Sequence, residues 1–411
     1  MLNLSKEGLI LFVQNHYGIT IVAMLAIGIT SLLWKAWDSS DHEDGIPGRL
    51  GLPFMGESFS FFSAVNSTKG VYDFVEKRRK RYGKWFKTRV LGNTHVFVPS
   101  IEGAKTILAN DFVHFNKLYV RSMEDTVGAL SIFTVPHKIH TRIRHVLSDF
   151  FSMSALSMFV GKFDKMLSER LDKLEKSGKS FKVTDFSSKI TFDAMVSMLM
   201  SVTEDPLLAQ IEKDIFDVSD NMLSIPLMIP GVRYYKGMKA GNELRFDETE
   251  HSSMVERDSY PDDEKLSDQE IIDNLITLIL AGQTTTSAAM MWCVKFLSEN
   301  TEVLDRLREE QLSIARKKPE GALLTMEDLN DMSYGFKDIQ KPYSFLPFGA
   351  GPRTCLGINM AKVAMLVFVH RMTGGYKWTL DNPDSRLAKK QHIARLRSGC
   401  PITLEALNKG K

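Results

Sequence analysis

The sequence predicts a mainly α-helical fold with small β-sheets, preceded by an N-terminal transmembrane helix. Three observations lead to this prediction. An apolar run near the N-terminus approaches the length that spans a bilayer. Apolar residues recur with helical periodicity from Pro99 almost to the C-terminus. Between these regions, residues 84–99 form two β-rich runs around the turn residues Gly92-Asn93, which predicts a hairpin.

The N-terminal run predicts a retained membrane anchor. Tyr17–Trp34 supplies 18 uncharged residues with aromatic side chains at both ends, as at membrane interfaces. Lys35 and the basic run 77–81 follow, which predicts an endoplasmic reticulum membrane protein with its body in the cytosol. A cleaved signal peptide is the competing interpretation, but no small-x-small motif closes the run, and Lys6 and Glu7 both precede it.

Length and composition exclude several classes of protein. The chain has 411 residues, 44% of them hydrophobic and 25% charged, which is enough to bury a large core. Its net charge of +2 gives no reason to expect a nucleic-acid partner. Cys293, Cys355 and Cys400 are few and far apart, which indicates a reducing compartment rather than a disulfide framework.

The remaining elements follow from local composition. Residues 46–57 are rich in proline and glycine and predict a stiff, non-helical hinge. Residues 71–82 predict a basic amphipathic helix, whose charges form a solvated face or, as a second choice, contact anionic lipid. Residues 358–370 predict a long apolar helix, and residues 400–404 a short final strand.

The decapeptide FGAGPRTCLG, residues 348–357, is the most informative segment for function. A cysteine thiolate can be the proximal ligand of a haem iron, provided that its sulfur is protected. Gly351 and Gly357 would let the backbone approach a porphyrin and leave amide groups free to point at the sulfur of Cys355. Arg353 would pair with a haem propionate, and Phe348 would shield the sulfur from water. The alternative is a buried structural cysteine beside a glycine-rich turn.

This decapeptide fits Phe-x-x-Gly-x-Arg-x-Cys-x-Gly at every defined position, the cysteine-loop signature of cytochrome P-450 haem-thiolate monooxygenases, which the chain resembles. The resemblance implies the cytochrome P-450 fold, with haem b as cofactor and Cys355 as the iron ligand. It also implies an NADPH-dependent flavoprotein reductase as partner. The implied reaction inserts one oxygen atom from O2 into an apolar small molecule.

A second segment, AGQTTT at residues 281–286, interrupts a run that is apolar nearly all round and therefore predicts a buried helix. Glycine costs a helix about 1 kcal/mol against alanine, and threonines can bond back to the preceding turn, so a compensating role is expected. The segment resembles the oxygen-binding groove of the distal helix in cytochromes P-450. Ala281 and Gly282 would leave room for oxygen, and Thr285 would organise a proton-delivering water chain.

Thr284 stands where this groove usually carries an acid, so Gln283 or ordered water would have to replace the carboxylate. A structural threonine cluster is the alternative interpretation of the whole segment. His140 and Arg144 lie four residues apart on a predicted helix and share a face. They resemble an element whose arginine binds a haem propionate, with His in place of the usual Trp; an exposed basic face that docks an acidic electron donor is the alternative.

One part of the family pattern is missing. Cytochromes P-450 carry a Glu-x-x-Arg pair, a small sheet and a loop between the distal helix and the cysteine loop, and no Glu-x-x-Arg occurs between Thr286 and Phe348. We therefore expect a lost block near residue 337 and a second shortening near residue 240. On this interpretation residues 1–45 are the membrane anchor and linker, and residues 46–411 are the shortened haem-thiolate domain.

The segments 51–57, 234–239 and 257–261 resemble the plant clan that includes abscisic acid hydroxylases, brassinosteroid oxidases and carlactonoic acid oxidases. The resemblance implies a terpenoid- or sterol-derived substrate. Two other functions stay open. A reductase-independent haem-thiolate isomerase or dehydratase would explain the missing acid, and a truncated or splice variant without enzymatic role would explain the missing block.

Overall fold

The chain divides into two compact units, residues 1–104 and residues 105–411. The computed structural model of the protein describes residues 17–38, 45–52, 55–65, 67, 69–119, 121–200, 206–222, 224, 227–248, 261, 264–319, 321–334, 343, 345–388 and 393–407. The predicted junction near residue 337 and most of the segment 257–261 lie outside these residues.

The N-terminal unit contains the predicted helices and hairpin. In chain order its elements are α1 (Tyr17–Asp38), β1 (Gly48–Arg49), α2 (Ser58–Val65), α3 (Val71–Tyr82), β2 (Phe86–Val90) and β3 (Asn93–Phe97). Strand β2 pairs antiparallel with β3, with Phe86 opposite Phe97, and β1 adds in parallel on the other side of β2. The turn lies one residue earlier than predicted, because Leu91 and Gly92 both have the positive φ that two-residue hairpin turns require.

Helix α3 confirms the predicted basic amphipathic helix. Phe74 on its apolar face is buried, whereas Lys77 and Lys80 are exposed to solvent. Arg78 turns inward, and its Nε lies 2.8 Å from Oε2 of Glu57. The basic run 77–81 is therefore largely the solvated face that the sequence favours.

Helix α1 covers most of the apolar run that predicts the membrane anchor. Its described side chains, within Ile21–Ser31, are exposed. Among the described residues no single helix has the length and hydropathy to cross a membrane; only a bent pair, His137–Phe151 with Met153–Ser177 at 49°, passes by length and composition. The transmembrane helix therefore stays a prediction, and residues 1–16 lie outside the described part of the chain.

The C-terminal unit is mainly helical. Helix α4 (Ile101–Ala109) leads into it and is followed by α5 (Arg121–Val127), α6 (His137–Ser148), a 3-10 turn (Asp149–Phe151), α7 (Met153–Ser177), β4 (Phe181–Lys182), α8 (Val183–Leu199), α9 (Pro206–Asn221), α10 (Arg233–Glu248), α11 (Asp268–Glu299), α12 (Thr301–Arg316), α13 (Met326–Asn330), a 3-10 turn (Gly351–Arg353), α14 (Ile358–Gly375), β5 (Tyr376–Leu380) and β6 (Pro401–Ala406). Strand β6 pairs antiparallel with β4 and β5. The predicted mainly α-helical fold with small sheets is confirmed.

Helix α11 is the central helix of this unit. It begins with a capping box, in which Ser267 and Glu270 satisfy each other's backbone amides. Its 32 residues are buried on nearly all sides, as the continuous apolar run predicts. Two of its buried hydroxyl groups have partners on neighbouring segments: Ser287 bonds to Ser187 of α8 at 3.0 Å, and Thr277 bonds to Ser131 at 2.8 Å. These pairs fix α11 against α8 and the loop before α6.

Helix α14 follows the cysteine loop directly and packs against α7. A buried ion pair joins the two helices, between Arg371 of α14 and Asp164 of α7. Asp164 is fully buried and also accepts a hydrogen bond from the backbone amide of Leu324 at 2.8 Å. This network anchors α14, the helix that leaves the cysteine loop.

Candidate functional site

A cavity of about 400 Å³ lies between α11 and the cysteine loop. Most of its wall is apolar, with contributions from α6, α7, α8, α11, the cysteine loop and α14. Nine of the eleven predicted site residues line it: His140, Arg144, Ala281, Gly282, Thr285, Phe348, Arg353, Cys355 and Gly357. The two predicted residues that do not line it are Thr284 and Gly351.

The cysteine loop presents Cys355 to the cavity. The backbone amide of Cys355 donates to the carbonyl of Phe348 at 2.9 Å, which closes the loop. Burial raises the pKa of the Cys355 thiol, while a hydrogen bond from the Gly357 amide and the positive charge of Arg144 act to lower it. The amide aimed at the sulfur is the arrangement that tunes a metal-bound thiolate. A bound metal ion would deprotonate this thiol in spite of its raised pKa.

Gly351 lies close to protein backbone and does not line the cavity. It has a φ of +74°, and a Cβ on it would lie 2.0 Å from the carbonyl oxygen of Leu108. The close approach that requires this glycine is therefore to the backbone at the end of α4, not to the cavity. Gly357 has a φ of −88°, and a Cβ there would meet only the ring of Phe151, at 3.6 Å. Gly357 does lie at the cavity, as expected.

We predict that Gly351→Ala lowers the free energy of unfolding by about 2 to 5 kcal/mol. A left-handed non-glycine residue costs about 1 to 2 kcal/mol, and a clash with fixed backbone adds about 1 to 3 kcal/mol. Gly349→Ala is the matched control in the same loop, because Gly349 has a φ of +69° but no described atom within 4 Å of the position that an added Cβ would take. Its expected loss is about 1 to 2 kcal/mol. Urea unfolding of both variants measures the difference, and equal losses would contradict the role assigned to Leu108.

Helix α11 turns Ala281 and Thr285 toward the cavity, one helical turn apart. The Thr285 hydroxyl donates to the Ala281 carbonyl at 2.7 Å, the back-bond that the sequence predicts. Thr284 is buried away from the cavity, and its hydroxyl donates to the Leu280 carbonyl at 2.7 Å. Thr284 therefore does not line this cavity, because successive helical residues point about 100° apart, and its assignment to the site stays a prediction.

The structure places Gln283, one of the two expected replacements for the missing acid, away from the cavity. Its side chain is fully buried, does not line the cavity, and has no hydrogen-bond partner for either amide atom among the described residues. Gly282 does line the cavity, but its missing side chain makes room for Met195 rather than for open space. A Cβ on Gly282 would lie 2.5 Å from the Met195 sulfur, which also lines the cavity.

Arg353 is held on three sides at the edge of the cavity. Its Nη1 donates to the carbonyls of Ile132 and Phe133 at 3.4 and 3.3 Å. Its guanidinium carbon lies 4.2 Å from the centre of the Phe112 ring. Its Nε lies 3.5 Å from Oδ2 of Asp111, and both side chains are almost fully buried. The cation is thus fixed by the protein and still contacts the cavity.

Helix α6 has a side that faces the cavity and also exposed basic residues, so each of the two interpretations of its sequence applies in part. His140 is buried and, with Arg144, lines the cavity. Burial, together with the charges of Arg353, Arg144 and His137, lowers the pKa of His140 to about 4. Lys138 is exposed on the other face of the helix, and the exposed His137 stacks on the Phe112 ring that His140 also contacts. The inward face therefore supplies one cation and one neutral imidazole to the site.

Lowering the pH should destabilise the protein through His140. Its folded pKa of about 4 lies below the ordinary value of 6.5, so the folded state favours the neutral ring. The stability from this ring is complete above pH 6.5 and is lost as the pH falls toward 4, by about 3 kcal/mol. Between pH 7 and pH 4, we expect the free energy of unfolding of the wild type to fall by this amount relative to that of His140→Gln, as measured by urea unfolding. Parallel pH profiles of the two proteins would contradict the burial of a neutral imidazole.

Several residues of the wall were not predicted from the sequence. Lys117 and Tyr119 line the cavity from the loop before α5, and Met195 does so from α8. Burial lowers the pKa of Lys117 and raises the pKa of Tyr119. These residues belong to no motif, and their neighbours in the cavity lie far away in the chain, so no local signal identified them.

The chain is similar to proteins of known activity. The family model described as cytochrome P-450 matches residues 46–245, 248–336 and 335–399. The chain is 25% identical to abscisic acid 8'-hydroxylase 1 of Arabidopsis thaliana, over 87% of this chain and 90% of that protein. It is 26% identical to taxoid 2-alpha-hydroxylase of Taxus canadensis, over 79% of this chain and 82% of that protein. The fold is similar to that of retinoic acid-bound cyanobacterial CYP120A1, with a TM-score of 0.75 at 20% identity, covering 88% of this chain and 99% of that chain.

Proposed function

The chain belongs to the cytochrome P-450 family and is an oxidoreductase of the monooxygenase type, and from this premise we propose its reaction and site. The proposed reaction inserts one oxygen atom from O2 into a terpenoid- or sterol-derived small molecule. Electrons come from NADPH through a flavoprotein reductase. The observation that carries the proposal is that one cavity contains both the Cys355 thiol and the Thr285 hydroxyl.

The residues of the cavity fit a haem group. Cys355 supplies a sulfur ligand, and Gly357 leaves the space beside it open apart from the Phe151 ring. Arg353, Arg144 and Lys117 are cations that would hold the propionates at the edge of an otherwise apolar wall. Bound there, haem supplies the one-electron and O2 chemistry of the reaction. Cys355 is exposed in the ligand-free chain, and with haem bound Phe348 and the neighbouring apolar residues would shield its sulfur from water.

The side of the cavity formed by helix α11 would bind oxygen and deliver protons. Ala281 is small, and the Thr285 hydroxyl, which donates to the Ala281 carbonyl, can accept a further hydrogen bond from water in the cavity. No carboxylate lines the cavity within the described part of the chain. We therefore assign proton delivery to water held by Thr285 and by the neighbouring hydroxyls of Thr191, Thr277 and Thr286.

The substrate class rests on the relatives and on the wall. Among the relatives are abscisic acid 8'-hydroxylases and taxoid hydroxylases, at about 25% identity. The cavity wall adds apolar side chains such as Phe159, Phe163 and Met360. An apolar wall with a few polar groups is suited to a terpenoid- or sterol-derived substrate. The relatives act on different substrates, so the proposal extends to the class and not to a single compound.

The test is turnover of a panel of terpenoid- and sterol-derived compounds under heavy-isotope O2, with NADPH and a plant reductase. We expect one labelled oxygen atom per product molecule and no product when the reductase is omitted. Product formed without NADPH and reductase would instead favour the isomerase or dehydratase alternative. The absence of a carboxylate from the described cavity wall is the observation that keeps this second function under test.

We also propose that the body lies on the cytosolic face of the endoplasmic reticulum membrane, held by residues 1–37. Helix α1 and its apolar, exposed segment Ile21–Ser31 support this proposal, as do the basic residues that follow. Protease treatment of sealed microsomes should digest the body and leave a short membrane-bound fragment. Deletion of residues 1–37 should release the protein into the soluble fraction. A protected body would show that the orientation is wrong.

The domain assignment remains part of the proposal. Residues 46–411 would form a haem-thiolate domain that has lost a block near residue 337. The family model matches in separate segments that meet at residues 335–336, which supports this position. The alignment with the Arabidopsis hydroxylase runs over 433 positions, more than the 411 residues of this chain, so that protein contains residues without a counterpart here. The second predicted shortening, near residue 240, falls within helix α10, which runs without a break from Arg233 to Glu248.

A further inference from the structure

Asp111 is a buried carboxylate with an unusual lack of hydrogen bonds. Its side chain is 5% exposed, and neither oxygen has a hydrogen-bond partner among the described residues. The buried Asp164 is different, because it accepts hydrogen bonds from Arg371 and from the amide of Leu324. Burying a charged group without hydrogen bonds is unfavourable unless an opposite charge compensates it. For Asp111 the nearest such charge is the guanidinium of Arg353, at 3.5 Å.

The guanidinium of Arg353 is itself only partly satisfied. Nη1 donates to two backbone carbonyls, and Nε faces Asp111 without reaching hydrogen-bond geometry. Nη2 makes no hydrogen bond to a described residue, and Arg353 lines the cavity. The geometry thus leaves donor capacity on Arg353 for an anionic group in the cavity, while Asp111 already neutralises part of its charge.

The charges around the cavity suit a dianion. Three formal cations line the described wall, Arg353, Arg144 and Lys117, and His140 is neutral at pH 7. Asp111 lies next to Arg353, and its negative charge also acts to raise the pKa of Lys117. The resulting net charge is +2, equal and opposite to that of a ligand with two carboxylates. Without Asp111, the three cations around the cavity would carry a net charge of +3.

We propose that Asp111 is an internal counter-ion that holds Arg353 in place in the ligand-free chain and competes with a carboxylate of the ligand for it. The inference rests on the proposed function, in which the ligand is the dicarboxylate haem. Asp111 then acts as a positioning residue through Arg353 and has no contact with the reacting atoms. It stabilises the empty site and at the same time limits the affinity of that site for an anion.

This role predicts opposite effects on stability and on affinity. Asp111→Asn should lower the melting temperature of the ligand-free chain, because a buried cation loses its counter-ion. The same variant should bind metal-free protoporphyrin IX about tenfold more tightly, since one competing charge is gone. The dimethyl ester of the porphyrin lacks carboxylates, so its affinity should not change. The metal-free probe excludes any contribution from ligation by Cys355.

The experiment is a fluorescence titration of the full chain with protoporphyrin IX and with its dimethyl ester, beside thermal unfolding. Asp111→Glu keeps the charge and should keep the wild-type preference for the diacid. Asp164→Asn removes a carboxylate from a buried ion pair that does not line the cavity, so it should lower stability without changing either affinity. This control separates a counter-ion of the ligand site from a merely structural carboxylate.

The outcomes are distinguishable. If the wild-type sequence binds neither porphyrin even with a family-length insert after Lys337, or binds the ester as tightly as the diacid, both the inference and the placement of haem in this cavity are wrong. If the wild type prefers the diacid but Asp111→Asn binds it no more tightly, the proposed function stands and the inference alone is overturned. A loss of diacid affinity in Asp111→Asn would equally overturn it, because it would make Asp111 a supporting contact rather than a competitor.

Discussion

Replacing Cys355 by alanine is expected to abolish the thiolate signature in the carbon monoxide difference spectrum. Cys355 lines the cavity and receives a hydrogen bond from the Gly357 amide. Cys293 is partly buried on helix α11, and burial raises the pKa of its thiol to about 12. Cys400 is fully buried, and burial raises the pKa of its thiol to about 11. Neither of these two sulfurs lines the cavity, so neither can replace Cys355.

The measurement uses the protein with a family-length insert after Lys337, so that haem loading does not limit the signal. Cys293→Ala and Cys400→Ala are the matched controls and should keep the thiolate band. Loss of the band in either control, with the band retained in Cys355→Ala, would assign the ligand to another cysteine. The variant is expected to lose the whole thiolate band, so this is the largest spectroscopic effect that we predict for the site.

The sequence predicted the elements of the site better than the directions of individual side chains. Helix periodicity and the motif spacing were sufficient to bring Ala281, Thr285 and Cys355 to one cavity. They were not sufficient for Thr284, because a position that carries an acid in related motifs does not have to face the cavity. Its carbonyl accepts a hydrogen bond from Arg395 at 3.3 Å, a partner 111 residues away. No local pattern contains that contact.

The same limit explains Gly351 and Asp111. A glycine-rich loop predicts tight turns, and Gly351 does have a positive φ, but the sequence does not say which backbone comes close to it. The structure brings the Leu108 carbonyl there, and Asp111, three residues further on, comes next to Arg353. Long-range contacts of this kind depend on how helices pack, and packing is a property of the whole chain. Local motifs therefore predict which residue types are present more reliably than they predict their partners.

The 411-residue chain should bind haem poorly and show little or no turnover, compared with a version that carries a family-length insert after Lys337. The family's Glu-x-x-Arg pair ties its helix to the segment before the cysteine loop. Removing one side of such a buried ionic network typically costs about 3 to 5 kcal/mol. That is comparable with the net stability of a domain, about 5 to 15 kcal/mol. The predicted effect is therefore large enough to change the fraction of folded, haem-loaded protein.

Two apolar side chains on either side of the proposed junction are exposed. Phe345, just before the cysteine loop, exposes 61% of its surface, and Leu323, on the other side of the junction, exposes 40%. Exposed apolar side chains of this kind favour aggregation when the segment that would cover them is missing. The buried pair of Asp164 and Arg371 still anchors α14, so the helix after the cysteine loop keeps its support. We therefore expect partial folding around α7, α11 and α14, with poor support for the segment just before the cysteine loop.

The decisive comparison purifies both proteins in parallel and measures haem per chain and reductase-dependent NADPH consumption. We expect several-fold higher haem occupancy and coupled turnover only in the protein with the insert. An insert of equal length composed of glycine and serine is the matched control, because it restores the spacing without the ionic network. If the 411-residue chain equals the full insert in haem content and turnover, the block is dispensable. The elements from α7 to α14 would then be sufficient to hold the site together.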